Sequence, residues 1–329
     1  LLPSVNPPPA IPFLHRVFLA PTPRSATMLA VSLAQRILRP TVHLMHKDFT
    51  TRALSSYAAL PPMEWRRYAT HDHRLPGMTP DLRIIGDEKA LVYEGTVVVR
   101  FKGCVGNIGQ AEASVHEDRF FASMGMAFLD FVPDLCCGFP FLASGDRSSA
   151  RTSRERLWER IHAAARSACE VLNTEKVVVM SSCPTCQESL RRAHLEQGAP
   201  PHLCIADPAQ YARERAKIIH RPTTRRVGLK VPCHAIPEAT SSQEALLREH
   251  GFTPVLLPQC CGMAGTGRLR HPEVGLVLAE RLAAAIRDAG VDMVVSGCPS
   301  CRDGMQLQAT IDGAPLRVDD IYGLLVEAS

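Results

Sequence analysis

Cysteine is the residue type best able to do chemistry in this sequence of 329 residues, which contains twelve of them. Ten form two sets with the same order: a single cysteine, a Cys-Cys-Gly triplet and a Cys-Pro-x-Cys motif. The first set is Cys104, Cys136, Cys137, Cys183 and Cys186, and the second is Cys233, Cys260, Cys261, Cys298 and Cys301. Corresponding motifs are offset by 129, 124 and 115 residues. The recurrence indicates an internal duplication.

Five converging thiolates are typical of a soft-metal site, which selects zinc, copper(I) or an iron–sulfur cluster. A disulfide network is disfavoured, because a chain of this length buries a sufficient core without one and adjacent cysteines bridge poorly. Structural zinc stays open, since four thiolates form a closed tetrahedral site, although one cysteine of each set would then be unused. Cys169 and Cys204 lie outside both sets and are predicted to be buried and inert.

The elements that must position these cysteines follow an α/β pattern, in which short β-branched runs alternate with helical periodicity. Strands are predicted at residues 97–101, 127–131, 176–180, 227–231, 254–257 and 292–295. Helices are predicted at residues 154–171, 243–250 and 272–288, with Val274, Val277, Leu278, Leu282 and Ile286 on one face of the last. The predicted fold class is therefore α/β, with duplicated Rossmann-like halves and an irregular N-terminal extension.

Each cysteine motif comes directly after a predicted strand. Because ligands in a parallel α/β sheet bind beyond the carboxyl ends of the strands, three strand ends in each half deliver five sulfurs to one edge. Pro184 and Pro299 fit the first position of a helix, whose N–H groups and dipole stabilise anionic sulfur. Gly138 and Gly262 let the backbone turn tightly after each cysteine pair.

Residues 1–95 differ from the rest of the chain. This stretch is rich in proline, has no acidic residue before Asp48 and carries several arginines. Such a composition is typical of an organelle transit segment or of an extension that wraps a partner. It predicts a mitochondrial protein, peripheral to or in a complex at the inner membrane. The expected domains are residues 1–95 as the extension, 96–222 as the first repeat and 223–329 as the second.

Composition and motif content exclude several function classes. There are 37 basic and 33 acidic residues, and a net charge of only +4 gives no reason to expect a nucleic-acid partner. No stretch approaches the ~18 apolar residues of a membrane-spanning helix. No Gly-x-Gly-x-x-Gly follows a strand, so a bound dinucleotide is not expected.

The duplicated motif resembles the cysteine-rich CCG domains found in one of the subunits of heterodisulfide reductase. Similar domains occur in the iron–sulfur subunits of glycolate oxidase and anaerobic glycerol-3-phosphate dehydrogenase, and in an unusual class of succinate:quinone reductase. The resemblance is carried by Cys136-Cys-Gly138, Val231-Pro-Cys-His234, Cys260-Cys-Gly-Met263 and Val294-Val-Ser-Gly-Cys-Pro-Ser-Cys301. It covers roughly residues 97–329.

The resemblance implies that each set of five cysteines holds an iron–sulfur cluster of the noncubane [4Fe–4S] type, so that the chain carries one or two. The second set is the safer assignment, because zinc in the first half is the alternative. The implied function is an iron–sulfur electron-transfer subunit of a membrane-associated, quinone-linked dehydrogenase complex acting on succinate, glycolate, lactate or glycerol 3-phosphate. Two alternatives remain: a heterodisulfide reductase-like thiol/disulfide catalyst, and a zinc-stabilised assembly protein without redox chemistry.

One departure from the family pattern bears on the partners. The sequence has no ferredoxin-like Cys-x2-Cys-x2-Cys-x3-Cys-Pro run, which several respiratory relatives carry. Electrons are therefore expected to arrive from flavoprotein and ferredoxin-type iron–sulfur subunits, with a quinone and a membrane-anchor subunit as further partners.

Overall fold

The structure is a computed structural model that describes residues 73–103, 111–132, 135–143, 145–198, 200, 202–215, 225–263 and 271–328. Its strands are β1 Leu82–Ile85, β2 Val92–Tyr93, β3 Thr96–Phe101, β4 Phe128–Phe131, β5 Lys176–Met180, β6 Leu203–Ala206, β7 Arg226–Lys230, β8 Thr253–Leu257, β9 Met293–Val295 and β10 Arg317–Asp319. Its helices are α1 Ala111–Ser123, α2 Phe139–Ala143, α3 Arg147–Leu172, α4 Pro184–Gln197, α5 Pro208–Arg215, α6 Pro237–Glu249, α7 Pro272–Ala289, α8 Pro299–Asp312 and α9 Ile321–Ala328.

The strands form two sheets, one in each half of the chain. The first has the order β1-β4-β3-β5-β6, with β2 paired to β3, and the second has the order β10-β9-β7-β8. The strands from β3 to β6 pair in parallel, and so do all four strands of the second sheet. The two parallel sets therefore have the same strand order across the sheet: β4-β3-β5-β6 in the first half and β8-β7-β9-β10 in the second. The α/β fold class is confirmed, whereas the Rossmann-like description of the halves stays a prediction.

Three clusters of buried side chains hold these layers together. One packs α3 and α4 on the first sheet around Leu157 and Trp158, and another packs α7 and α8 on the second sheet around Leu282 and Met305. The third joins the halves, because it combines first-half residues such as Phe120 with second-half residues such as Leu229 and Tyr322. The two halves therefore share a continuous apolar contact, in which α1 packs on α9 and α5 on α6.

The six predicted strands and three predicted helices all occur. The strand ends shift by at most one residue, whereas α3 and α6 begin at Arg147 and Pro237, well before the predicted starts at residues 154 and 243. On α7, however, Val274 and Val277 are exposed, and the buried face consists of Gly275, Ala279, Leu282 and Ile286. Part of the predicted extension is also regular: β1 pairs antiparallel with β4, and β2 with β3. The sheet thus includes residues before 96. Residues 1–72 lie outside the described part of the chain, and among the described helices none is both long and apolar enough to span a membrane.

Candidate metal centres

The five cysteines of the second set lie together beyond the ends of β7, β8 and β9. Cys233 Sγ lies 3.7 Å from Cys260 Sγ. The side chain of Cys261 hydrogen-bonds with those of Cys260 and Cys301, and Cys301 also interacts with Cys298. Three separate strand ends thus bring all five thiols into one connected group.

The thiols of this group differ in their pKa. Hydrogen bonds from the thiols of Cys260 and Cys301 lower the pKa of Cys261 to about 3, helped by the backbone N–H of Met263. The same contacts raise the pKa of Cys260 and of Cys301, and burial raises both further. Because the thiolate is the form that binds a metal, these hydrogen bonds favour the metal-binding form of Cys261.

Three cysteines of the first set form a similar group. The side chain of Cys186 hydrogen-bonds with those of Cys137 and Cys183. The Cys186 thiol and the backbone N–H groups of Thr185 and Cys186 lower the pKa of Cys183 to about 7, although burial opposes them. The same hydrogen bonds raise the pKa of Cys186 well above its usual value. The first turn of α4 therefore stabilises negative charge on Cys183.

Of the other two cysteines of the first set, the structure describes one. Cys136 accepts a hydrogen bond of 3.4 Å from the N–H of Gly138, within the same loop. Cys104 lies outside the described residues. The residue before it, Gly103, is described, and a Cβ added there would lie 2.8 Å from Cys186 Sγ. The end of β3 thus approaches this group directly.

The two Cys-Cys-Gly loops have matching backbone geometry. Gly138 and Gly262 have φ of +80° and +73°, which other residues rarely adopt. In both loops the glycine N–H donates to the first cysteine of the triplet at 3.4 Å. A Cβ on Gly138 would overlap the Ala150 carbonyl, and one on Gly262 would overlap that of Gly275. Both glycines let the cysteine loop pack against the long helix that follows.

Both Cys-Pro-x-Cys motifs begin a helix, as the sequence predicts. Cys183 and Cys298 are the N-cap residues of α4 and α8, and Pro184 and Pro299 occupy the first turn. Proline is favoured there because its missing N–H would have no helical partner. The positive end of each helix dipole is therefore directed at a cysteine pair.

The two cysteine groups lie next to each other where the halves meet. The ring of His234, which follows Cys233, lies 4.3 Å from that of Phe139, and its Nδ1 lies 3.5 Å from Thr185 Oγ1. A Cβ added to Gly297 would lie 3.1 Å from the carbonyl oxygen of Ser182. The loops of one group thus contact those of the other.

A buried lysine that the sequence pattern does not predict lies beside the second group. Lys230 is fully buried at the end of β7, and its ammonium group donates to the carbonyl of Val231. Its positive charge also lowers the pKa of Cys261. The signal in the sequence was a lysine at the end of a short strand, three residues before Cys233. A lysine is almost never fully buried unless its charge has a partner.

The spread of the sulfurs bears on which metal group they fit. With Zn–S bonds of about 2.3 Å, the sulfurs of a tetrahedral zinc site lie about 3.8 Å apart. Among the described residues, no three cysteine sulfurs lie within 4.8 Å of one another. The five thiolates of the second set exceed the four ligands of a tetrahedral zinc site, and soft thiolates in this number fit an iron–sulfur cluster.

The two cysteines outside the sets have different surroundings. Cys169 lies in α3, half-buried against the first core, and burial raises the pKa of its thiol. Cys204 is exposed on β6, so the prediction that it is buried is wrong. β6 lies at the edge of the first sheet, where it pairs with β5. Neither cysteine belongs to the two groups.

Comparison with known proteins gives a consistent family. The model of the cysteine-rich domain family, CCG, matches residues 98–191 and 227–307. The chain is 23% identical over 227 residues to one of the subunits of the anaerobic glycerol-3-phosphate dehydrogenase of Escherichia coli K12, covering 65% of the chain and 56% of that protein. It is 25% identical over 217 residues to one of the subunits of the fumarate reductase (CoM/CoB) of Methanothermobacter marburgensis, covering 63% and 41%. An uncharacterized iron–sulfur protein of Methanococcus maripaludis is 23% identical over 229 residues, covering 68% and 44%.

These relatives confirm the resemblance and correct one prediction. The chain spans about half the length of the curated relatives it matches. The relatives come from archaea and from Escherichia coli, which have no mitochondria, so the predicted mitochondrial location is wrong. The basic, acid-free composition that motivated it belongs to residues outside the described part of the chain, and such a composition is not specific to targeting segments.

Proposed function

Because the chain belongs to the cysteine-rich CCG domain family, we propose that it is an iron–sulfur electron-transfer subunit of a multi-subunit oxidoreductase. The observation that carries the proposal is the second cysteine group, in which five thiols from three strand ends form one connected set. Two of the relatives are named as subunits of a dehydrogenase and of a reductase, which supports the same class of activity.

In the proposed sites, Cys233, Cys260, Cys261, Cys298 and Cys301 hold one cluster, and Cys104, Cys136, Cys137, Cys183 and Cys186 hold the other. A bound cluster supplies one-electron oxidation and reduction. The chain contributes the charge around it: the helix dipoles of α4 and α8 and the buried ammonium group of Lys230 favour the more negative, reduced state. The loops of the first cysteine group contact those of the second, and this contact gives electrons a short route between the halves.

The finer proposal is that the complex is a membrane-associated, quinone-linked dehydrogenase, in which a flavoprotein and ferredoxin-type iron–sulfur subunits are the partners. It is supported by the name of the Escherichia coli relative, which is one of the subunits of a dehydrogenase. Purification of the native complex and identification of its subunits tests this. A native protein that runs as a monomer and turns over a substrate unaided contradicts it.

Metal analysis tests the main proposal. Protein purified without oxygen is expected to contain iron and acid-labile sulfide, with the broad visible absorption of iron–sulfur clusters. Zinc in place of iron in both halves contradicts the proposal, whereas zinc in the first half alone leaves the second site as proposed.

Cysteine variants test the ligand set. Cys260→Ser and Cys261→Ser are each expected to alter the electron paramagnetic resonance signal of the second cluster, because all five thiolates of a noncubane cluster are ligands. Cys169→Ser and Cys204→Ser are matched controls, since both residues lie outside the two groups. A normal second-cluster signal in either vicinal variant would mean that only four cysteines bind there.

A further inference from the structure

A buried carboxyl group, that of Glu117, lies beside the place where the two cysteine groups meet. Glu117 is 4% exposed on α1, and its Oε1 accepts a 2.7 Å hydrogen bond from the hydroxyl group of Ser182. Ser182 directly precedes Cys183, the N-cap of α4, and its carbonyl oxygen would lie 3.1 Å from a Cβ added to Gly297. Gly297 in turn directly precedes Cys298 of the second group. The carboxyl group is therefore one hydrogen bond away from the residue that links the two Cys-Pro-x-Cys motifs.

The charges around Glu117 only partly compensate its burial. Its Oε2 lies 3.4 Å from Nη1 of Arg100, which is the longest of the ion pairs that Arg100 forms. Burial raises the pKa of Glu117 above its usual value, more than the charge of Arg100 and the hydrogen bond from Ser182 lower it. The carboxyl group is thus prepared to bind a proton. The other ionisable groups around it are Lys102 of β3, Asp118 of α1, Asp130 of β4 and Tyr322 of α9.

The second half has a neutral group in the equivalent place. Gly297 stands before the second Cys-Pro-x-Cys motif as Ser182 stands before the first. A Cβ added to Gly297 would lie 3.5 Å from Nε2 of Gln243, a residue of α6. An amide in the second half thus occupies the position that the carboxyl group of Glu117 occupies in the first.

The ion pair beside Glu117 is likewise confined to the first half. Arg100 and Leu229 each lie four residues before the first cysteine of their set. In the register of the two sheets, Arg100 stands opposite Asp130, whereas Leu229 stands opposite Leu256. The fold of a half therefore does not require these ionisable groups, which points to a role that belongs to the first half alone.

An electron added at the first cysteine group would act on Glu117 through its charge. A nearby negative charge raises the pKa of a carboxyl group, and the effect is large in a buried site because the effective dielectric constant is low. The Ser182 hydroxyl group donates to the carboxylate form and can turn to accept from the protonated form, because a hydroxyl group is both donor and acceptor. Both charge states of Glu117 can therefore keep this hydrogen bond.

We propose that Glu117 binds a proton when the first cluster is reduced and releases it when the cluster is oxidised. One electron enters from a one-electron donor of the flavin or ferredoxin type, and one proton from water binds to Oε1 of Glu117. Both leave again on oxidation. The proton compensates inside the protein the negative charge that the electron adds. This inference rests on the proposed iron–sulfur function and adds to it that electron transfer in the first half is coupled to a proton.

Redox titrations followed by electron paramagnetic resonance between about pH 5 and about pH 9 test the proposal. The signal that changes in Cys261→Ser identifies the second cluster, so the potential of the first can be followed separately. In the unmodified protein this potential is expected to fall as pH rises, by up to about 59 mV per pH unit, a tenfold change in proton concentration converted for one electron.

Glu117→Gln copies the second half and is expected to remove this slope, because an amide does not titrate. Arg100 keeps Asp118 and Asp130 as partners in this variant. An unchanged potential of the second cluster is expected to show that the variant is folded. Glu112→Gln is the matched control, because it is the same substitution on the same helix at a side chain that is 87% exposed, and it is expected to keep the slope.

Ser182→Ala gives an independent measurement. It removes a hydrogen bond that lowers the pKa of Glu117, so the sloping range is expected to move to higher pH. The proposal is overturned if the potential of the first cluster does not depend on pH, if Glu117→Gln keeps the slope, or if the first half contains no iron. Iron and sulfide content reports on the proposed function, so two intact clusters with a pH-independent first potential contradict this inference alone.

Discussion

A fully buried arginine shows what single residues contribute to the first half. Arg100 of β3 has no exposed surface, and its Nε lies 2.6 Å from Asp130 Oδ1 on the neighbouring strand. Asp130 also forms an ion pair with the buried ammonium group of Lys102. A buried charge is tolerated only when it is paired. Arg100 also pairs with Asp118 and Glu117, and Asp130 is the carboxylate that Arg100 and Lys102 share.

Asp130→Asn is expected to lower the free energy of unfolding by about 3–5 kcal/mol, because it leaves both cations without this carboxylate in a buried position. Urea denaturation followed by circular dichroism measures the change. Glu155→Gln is the control: it removes one partner of the exposed Arg151–Glu155 pair and is expected to change the same quantity by less than about 0.5 kcal/mol. A comparable effect of the two substitutions would contradict the role given to Asp130.

At the scale of a structural element, each Cys-Cys-Gly loop depends on the backbone conformation of its glycine. Gly262→Ala is expected to displace the loop from α7, since the new Cβ would overlap the Gly275 carbonyl and the φ of +73° is unfavourable for alanine. The second cluster's absorption and iron content are expected to fall. Gly313→Ala shares the positive φ, at +62°, but has open space around it. It is therefore expected to cost about 1 kcal/mol and to leave the iron content unchanged.

The elements also show how far the sequence predicts the fold. β5 was predicted with its observed ends, because Lys176–Met180 is a compact β-branched run between clear helical patterns. The short strands β6 and β10 were missed: Arg317–Asp319 contains a single apolar residue, and its pairing with β9 rather than its composition makes it a strand. The motif order predicted which cysteines come together, whereas the buried Lys230 and the contact of Glu117 with Ser182 depend on tertiary packing.

At the scale of the whole molecule, two equivalent contacts join the halves. Asp207 precedes α5, and its Oδ2 accepts a hydrogen bond of 3.3 Å from Gln243 of the other half. Asp320 precedes α9, and its Oδ2 lies 2.7 Å from His116 Nδ1 of the other half. His116 lies in α1 and Gln243 in α6, and 204 residues separate His116 from Asp320 in the sequence. Only the assembled halves reveal this symmetry.

Because one of these contacts uses histidine, the stability of the assembled halves is expected to depend on pH. The hydrogen bond to Asp320 raises the pKa of His116 above 6.5, with further contributions from the charges of Asp320, Asp319 and Glu112, although burial opposes them. A raised pKa in the folded state means that the contribution to stability is complete below pH 6.5 and is lost as pH rises through the folded-state pKa. His116→Gln copies the other contact and is expected to remove that loss. Urea denaturation at intervals between about pH 6 and about pH 8 measures the slope. His73→Gln, at a half-exposed histidine, is expected to keep the original slope, and an unchanged slope in His116→Gln would show that this contact does not link stability to pH.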